Sequence, residues 1–238
     1  MTETTRTGIA VIESKWHGND IAMRKNASVR PMFDMLCDLH FGNTHEYVYE
    51  MVATPAALAD AIKRMAWDKE ISTIYIAAHG DVDGLHLHGW DDPVNRKQLS
   101  KMLIEGGTRR TLRGVYLGAC EFGTEDLAKY LLERDKNLQW VAGYKHASDF
   151  VDGTALDVMF FNTWLNFAGR RRKLSTRELI AIVADRLRHD CRGLINTREE
   201  NDYEGDNEEA PGMGFSIYVR ARGPKSRIID LLREVEAE

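Results

Sequence analysis

An α/β fold, a largely parallel sheet covered by helices on both faces, is predicted by three features of the sequence. Short β-branched runs alternate with amphipathic segments over the first two-thirds of the chain, as strand–helix–strand units do. Two of these runs, Ser72 to Ala78 and Gly114 to Ala119, read as strands buried on both faces and therefore central. Helix starts are marked by cap chemistry, Thr54-Pro55 and Ser175-x-x-Glu178, which satisfies the free N–H groups of a first turn.

Taken in order, Gly8 to Glu13 is the first strand. A helix over about Arg30 to Phe41 places Met32, Met35, Leu36 and Leu39 at i, i+3, i+4 and i+7, with Gly42 to end it. Glu46 to Val52 alternates as a second strand, and the helix opened by Thr54 and Pro55 sets Leu58, Ile62 and Met65 on one face. After the strand 72–78, Gly84 to Trp90 forms a small hairpin projection, and Asp92-Pro93 starts a helix that ends at Gly106-Gly107. The strand 114–119 leads into Cys120. Thr124 caps a helix running to about Arg134, and Gln139 to Tyr144 supplies the next strand. Two long helices follow, roughly Gly153 to Phe167 and Thr176 to Arg192. The first carries Leu156, Phe160, Phe161, Trp164 and Leu165 around much of its circumference, so it is deeply packed. Gly214 to Arg220 is a final strand, and Lys225 to Val235 a closing helix.

Between Glu199 and Glu209 seven of eleven residues are acidic and none follows an apolar period, so the segment 197–212 is read as a mobile acidic loop. A helix leaving the strand at Tyr144 runs to the opposite edge of the sheet and the next helix returns. The acidic loop then lies on the carboxyl edge, and the final strand descends antiparallel. Open α/β sheets bind their ligands outside that edge.

The 238 residues are 43% hydrophobic and 29% charged, a globular balance, with no repeat and no linker that divides two cores. One domain over 1–238 is expected. Lys and Arg number 32 against 37 Asp and Glu, a net charge of −5, which gives no reason to expect nucleic acid or an anionic membrane as a partner. The basic run Arg170 to Lys173 reads as a solvated loop joining helices. No stretch approaches the roughly 20 apolar residues of a membrane helix, and Gly8 to Ile12 is too short for a signal-peptide core. Cys37, Cys120 and Cys191 are far apart and form no CxxC pair, as expected of a cytoplasmic chain with reduced thiols. Cys37 and Cys191 fall in helical patterns and read as packing residues.

Two strand ends carry the chemistry. Ile74 to Ala78 runs into His79-Gly80, and Val115 to Ala119 runs into Cys120. Neighbouring strands lie about 4.8 Å apart, so an imidazole and a thiol at adjacent carboxyl ends can face each other across one gap. That is a nucleophile with its base, since a thiol attacks as the thiolate. The N–H groups of Gly80 and Cys120 are placed to bind an oxyanion. The helix opened by Thr124 offers its positive end to Cys120, whereas Glu121, Glu125 and Asp126 oppose thiolate formation, which leaves most of the activation to His79.

His79-Gly80 closing one hydrophobic strand, and Gly118-Ala119-Cys120-Glu121-Phe122-Gly123 closing the next about forty residues later, resemble the caspase-type cysteine peptidase clan. The Q-A-C-[RQG]-G signature of caspases is matched at Ala119-Cys120 and at a nearby Gly, and departs at the positions before and after that dipeptide. Trp140-Val141-Ala142-Gly143-Tyr144 and Asp152 to Phe161 bring the chain closer to the bacterial CHAT branch. The resemblance spans about Gly8 to Arg220, with specific motifs only at the two strand ends. It implies a caspase-like three-layer sandwich whose single sheet has about six strands, mostly parallel with an antiparallel edge strand. It also implies thioester catalysis on a peptide bond, no cofactor, and regulated proteolysis in bacterial defence or cell death with an activating protein partner. The expected catalytic residues are Cys120 and His79. Asp149, Asp152 and the acidic loop on the carboxyl edge favour a basic residue before the scissile bond, although Asp152 can equally cap the following helix.

Other readings compete. A catalytically silent caspase-like scaffold binding a protein partner needs the same fold and no reactive thiol. A metal hydrolase could draw on His79, His86, His88 and Cys120, but no HExxH or CxxC spacing supports it, and the acidic run lacks the glycine of a calcium loop. No GxGxxG or GxxxxGK[ST] follows any strand, which argues against phosphate chemistry.

Overall fold

The computed structural model describes residues 8–15, 28–40, 46–105, 111–148, 150–168, 174–195, 213–221 and 227–233. The chain passes from β1 (Gly8–Glu13) through α1 (Arg30–His40), β2 (Tyr47–Met51) and α2 (Pro55–Trp67) to β3 (Ile71–Ala77). The two-residue strands β4 (His79–Gly80) and β5 (Leu85–His86) follow, then α3 (Arg96–Ile104), β6 (Gly114–Gly118), α4 (Glu125–Arg134) and β7 (Trp140–Tyr144). The rest comprises α5 (Phe150–Ala168), α6 (Thr176–Asp190), α7 (Arg192–Ile195), β8 (Phe215–Arg220) and β9 (Ile228–Asp230).

Seven strands form one sheet in the order β2-β1-β3-β6-β7-β8-β9, and β4 and β5 make a separate antiparallel pair. Neighbours from β2 to β7 are parallel, and β8 and β9 join antiparallel. The period-two alternation of the central strands sends Ile74, Ile76, Val115 and Leu117 to one face, against α2, α3 and α4. Tyr75, Ala77, Tyr116, Ala142 and Tyr144 go to the other, against α1, α5 and α6. The result is a three-layer α/β arrangement in which β3 and β6 are buried along their whole length, as their composition requires.

Thr54 accepts the Ala57 N–H at 3.2 Å to cap α2, Thr124 caps α4, and Ser175 with Glu178 forms the expected capping box of α6. Several boundaries differ from expectation. In α1 the buried residues are Met32, Phe33, Leu36 and Cys37, while Met35 and Leu39 are exposed, because the stripe that meets the sheet is rotated by about one residue. Asp92-Pro93 does not open α3. Leu85 and Val94 exchange both backbone hydrogen bonds, so the helix starts only after Asn95, whose side chain and Gln98 complete a capping box. Helix α5 begins three residues earlier than expected, and α6 stops at Asp190, with Cys191 as its C-cap.

The largest correction lies at the end of the chain. Where a helix over Lys225 to Val235 was expected, Ile228–Asp230 is a strand paired with β8. Among the described residues the sheet therefore has seven strands, and the antiparallel β8 is covered by β9 instead of forming the edge. The acidic segment 197–212 and the basic run 170–173 lie outside the described residues. Where the chain re-enters, the Lys145 and His146 N–H groups donate to Gly214 and Met213 carbonyls, so residues 213–214 sit at the carboxyl edge of β7. No helix among the described residues is long and apolar enough to cross a membrane.

Candidate active site at the carboxyl edge

The last registered pair between β3 and β6 is Ala77 with Gly118. His79 and Cys120 each follow two residues later, at equivalent positions beyond adjacent parallel strands. Gly80 seats the two segments on each other: a β-carbon there would come within 2.4 Å of the Cys120 carbonyl oxygen and 3.3 Å of its nitrogen. Only glycine permits that approach. His79 is exposed, Gly80 and Cys120 are half-buried, and the imidazole-bearing residue pairs with His86 in the β4–β5 ribbon.

Of the three thiols, Cys37 and Cys191 are buried and Cys120 is only half-buried. Burial pushes the Cys37 thiol up to about 12, with Asp34 and Asp38 adding to the effect, and burial likewise raises Cys191. Both behave as the packing residues the helical patterns suggest.

The turn after Cys120 is tightly held. Glu121 is a non-glycine residue in left-handed backbone, φ 55°, a conformation that persists only where its surroundings over-determine it. Its N–H donates to the His146 carbonyl at 3.3 Å, and the Arg96 guanidinium donates to its carbonyl at 3.3 Å while lying 5.6 Å from the Phe122 ring centre. One residue on, the Gly123 N–H donates to the Tyr144 carbonyl at 2.8 Å. A β-carbon on Gly123 would strike Gly143 at 2.3 Å, and one on Gly143 would strike Gly123 at 2.9 Å. The turn is thus pinned to β7 and α3.

Ser148, in the β7–α5 connection, surrounds the sulfur. Its N–H donates to Cys120 Sγ at 3.4 Å, its hydroxyl lies at 3.5 Å, and its carbonyl, at 3.8 Å, is placed to accept from the thiol. Asp152 is exposed in the first turn of α5, and Asp149 lies outside the described residues. The projection also departs from the metal alternative: His86 Nε2 is 2.6 Å from Asp81 Oδ2, and among the described residues no three His, Cys, Asp or Glu side chains converge.

Beneath this edge lies a buried carboxylate that the sequence reading passed over. Asp157 is 3% exposed. Tyr75 donates to its Oδ2 at 2.5 Å, Tyr144 to its Oδ1 at 2.5 Å, and Tyr116 also to Oδ1. Burial pushes this carboxyl up to about 6, against the pull of the three phenol donors, and burial beside Asp157 raises all three phenols well above their usual range. The signal was present in the sequence: Asp157 stands one turn before Phe160 and Phe161, on the buried side of the helix. Glu13 was also missed. At the end of β1 its carboxylate accepts from Ser28 at 2.7 Å, the Val29 N–H at 3.0 Å and Tyr49 at 2.6 Å, which ties β1 to the start of α1.

A scan against protein-family models finds no match, and a search of curated proteins finds no relative.

Proposed function

We propose that the chain is a caspase-like cysteine endopeptidase of the CHAT type, with Cys120 as nucleophile and His79 as its base. One observation carries this reading: His79 and Cys120 leave adjacent parallel strands at equivalent positions, with Gly80 packed on the Cys120 backbone. His79 takes the thiol proton as sulfur attacks the scissile carbonyl carbon, and the N–H groups of Gly80 and Cys120 receive the oxyanion. The C–N bond breaks as His79 returns the proton to the leaving amine, leaving a thioester on Cys120. Water then attacks the thioester, giving its proton to His79, which passes it to the departing sulfur. No cofactor takes part. Asp152 and Asp149 favour a basic residue before the scissile bond, and regulation by a protein partner in bacterial defence or cell death fits such a peptidase.

A peptide probe with a thiol-reactive warhead tests the mechanism. Selective labelling of Cys120 is expected, with cleavage falling by about a thousandfold or more in Cys120→Ala and His79→Ala and the circular dichroism spectrum unchanged. Cleavage retained by Cys120→Ala rejects the mechanism, and a thiol that shows no selective labelling identifies a silent scaffold. A peptide library checks the preference, and cuts after Asp or small apolar residues reject the basic one.

A further inference from the structure

We propose that Asp157 is a positioning residue for the Cys120 thiol: it gathers the hydroxyls of Tyr75, Tyr116 and Tyr144 beneath the two strand ends and thereby holds Ser148 against the sulfur. The inference rests on Cys120 being the nucleophile. Each phenol has one proton to donate, and all three hydroxyls lie within hydrogen-bond distance of one carboxylate, with the Gly153 carbonyl a second acceptor for Tyr144. The cluster joins three neighbouring strands, β3, β6 and β7, to α5.

From that cluster two lines of contact reach Cys120. The Tyr75 hydroxyl packs on Gly118, where a β-carbon would be 2.3 Å away, and Gly118 stands two residues before Cys120. The Tyr144 hydroxyl lies 3.0 Å from the Gly153 carbonyl, and a β-carbon at Gly153 would sit 3.8 Å from that hydroxyl and 3.7 Å from Ser148 Oγ. Ser148 in turn presents its N–H and hydroxyl to Sγ. The Ser148 N–H, hydroxyl and carbonyl together fix where the sulfur sits beyond the end of β6. A buried carboxylate is costly, and an apolar side chain of similar size would pack without that cost. Here the cost falls directly under the strand ends that carry the nucleophile and its base.

Alkylation of Cys120 by iodoacetamide, followed by peptide mass spectrometry from about pH 5.5 to 9, tests this on the full chain. Tyr144→Phe removes one oxygen and no carbon, and Ser148→Ala removes the hydroxyl donor. Both should slow alkylation of Cys120 by about threefold or more across that range. Asp157→Asn should do the same where it folds, and Tyr144→Phe carries the test where it does not. Profiles of Tyr144→Phe and Ser148→Ala that superimpose on the wild type overturn the proposal. Alkylation needs no peptide substrate, so a failure of this inference is distinct from a failure to cleave peptides.

Discussion

The two faces of the sheet meet at the same carboxyl edge but are built from different chemistry. On the face covered by α2, α3 and α4, the contacts are dominated by aliphatic side chains such as Ile74, Ile76, Leu117, Leu99 and Leu131. On the face covered by α1, α5 and α6, Tyr75, Tyr116 and Tyr144 converge on Asp157 and pack among Trp140, Phe160 and Phe161. Ring centres there lie 4.8–5.7 Å apart in pairs such as Phe33 with Tyr75 and Tyr75 with Phe161. Aliphatic packing is non-directional and tolerates small shifts. Hydrogen-bonded phenols around a carboxylate are directional and fix one arrangement. One face is held by non-directional packing, and the other adds a directional hydrogen-bonded cluster beneath the strand ends.

The comparison can be broken by truncating each face. Leu131→Ala on the aliphatic side should cost about 2–5 kcal/mol. Asp157→Ala should cost about 3 kcal/mol, because the phenol hydroxyls lose their common acceptor inside the core. Urea unfolding measures both. If Asp157→Ala is silent, the aromatic face is ordinary packing.

The pH dependence sharpens the contrast. Asp157 holds its proton more tightly folded than unfolded, since burial raises it from the usual 3.8 to about 6. Its contribution to stability is complete below the unfolded value and is lost as pH rises through the folded one. This amounts to about 1.4 kcal/mol per pH unit between roughly pH 4 and 6. Asp157→Ala should erase that slope, and Leu131→Ala should keep it. Smaller in effect is Gly80→Ala, whose β-carbon meets the Cys120 carbonyl at 2.4 Å. That clash is with backbone, so the two segments must part: Cys120 alkylation should slow about tenfold, or 1.4 kcal/mol, and the urea midpoint should fall, by less than for Leu131→Ala.

Much of this was legible in the residues. Continuous apolar strands marked β3 and β6, their terminal His79 and Cys120 marked the edge, and Thr54, Thr124 and Ser175 marked helix starts. The failures have physical causes. Helical spacing in Ile228, Leu231 and Leu232 hid β9, where pairing with β8 outweighs local propensity. Asp92-Pro93 resembled a helix start, but Val94 was committed to Leu85. Ser148 gave no signal, because a serine in a connection acquires its role only when the sulfur arrives from 28 positions earlier in the chain. Asp157 gave one that was overlooked: a carboxylate on the packed side of a helix demands partners.

The mutual contact of Gly123 and Gly143 has an evolutionary consequence. Neither position admits a side chain while the other's backbone stays where it is, so the two behave as a single inherited unit, and a library that randomises one alone will return glycine.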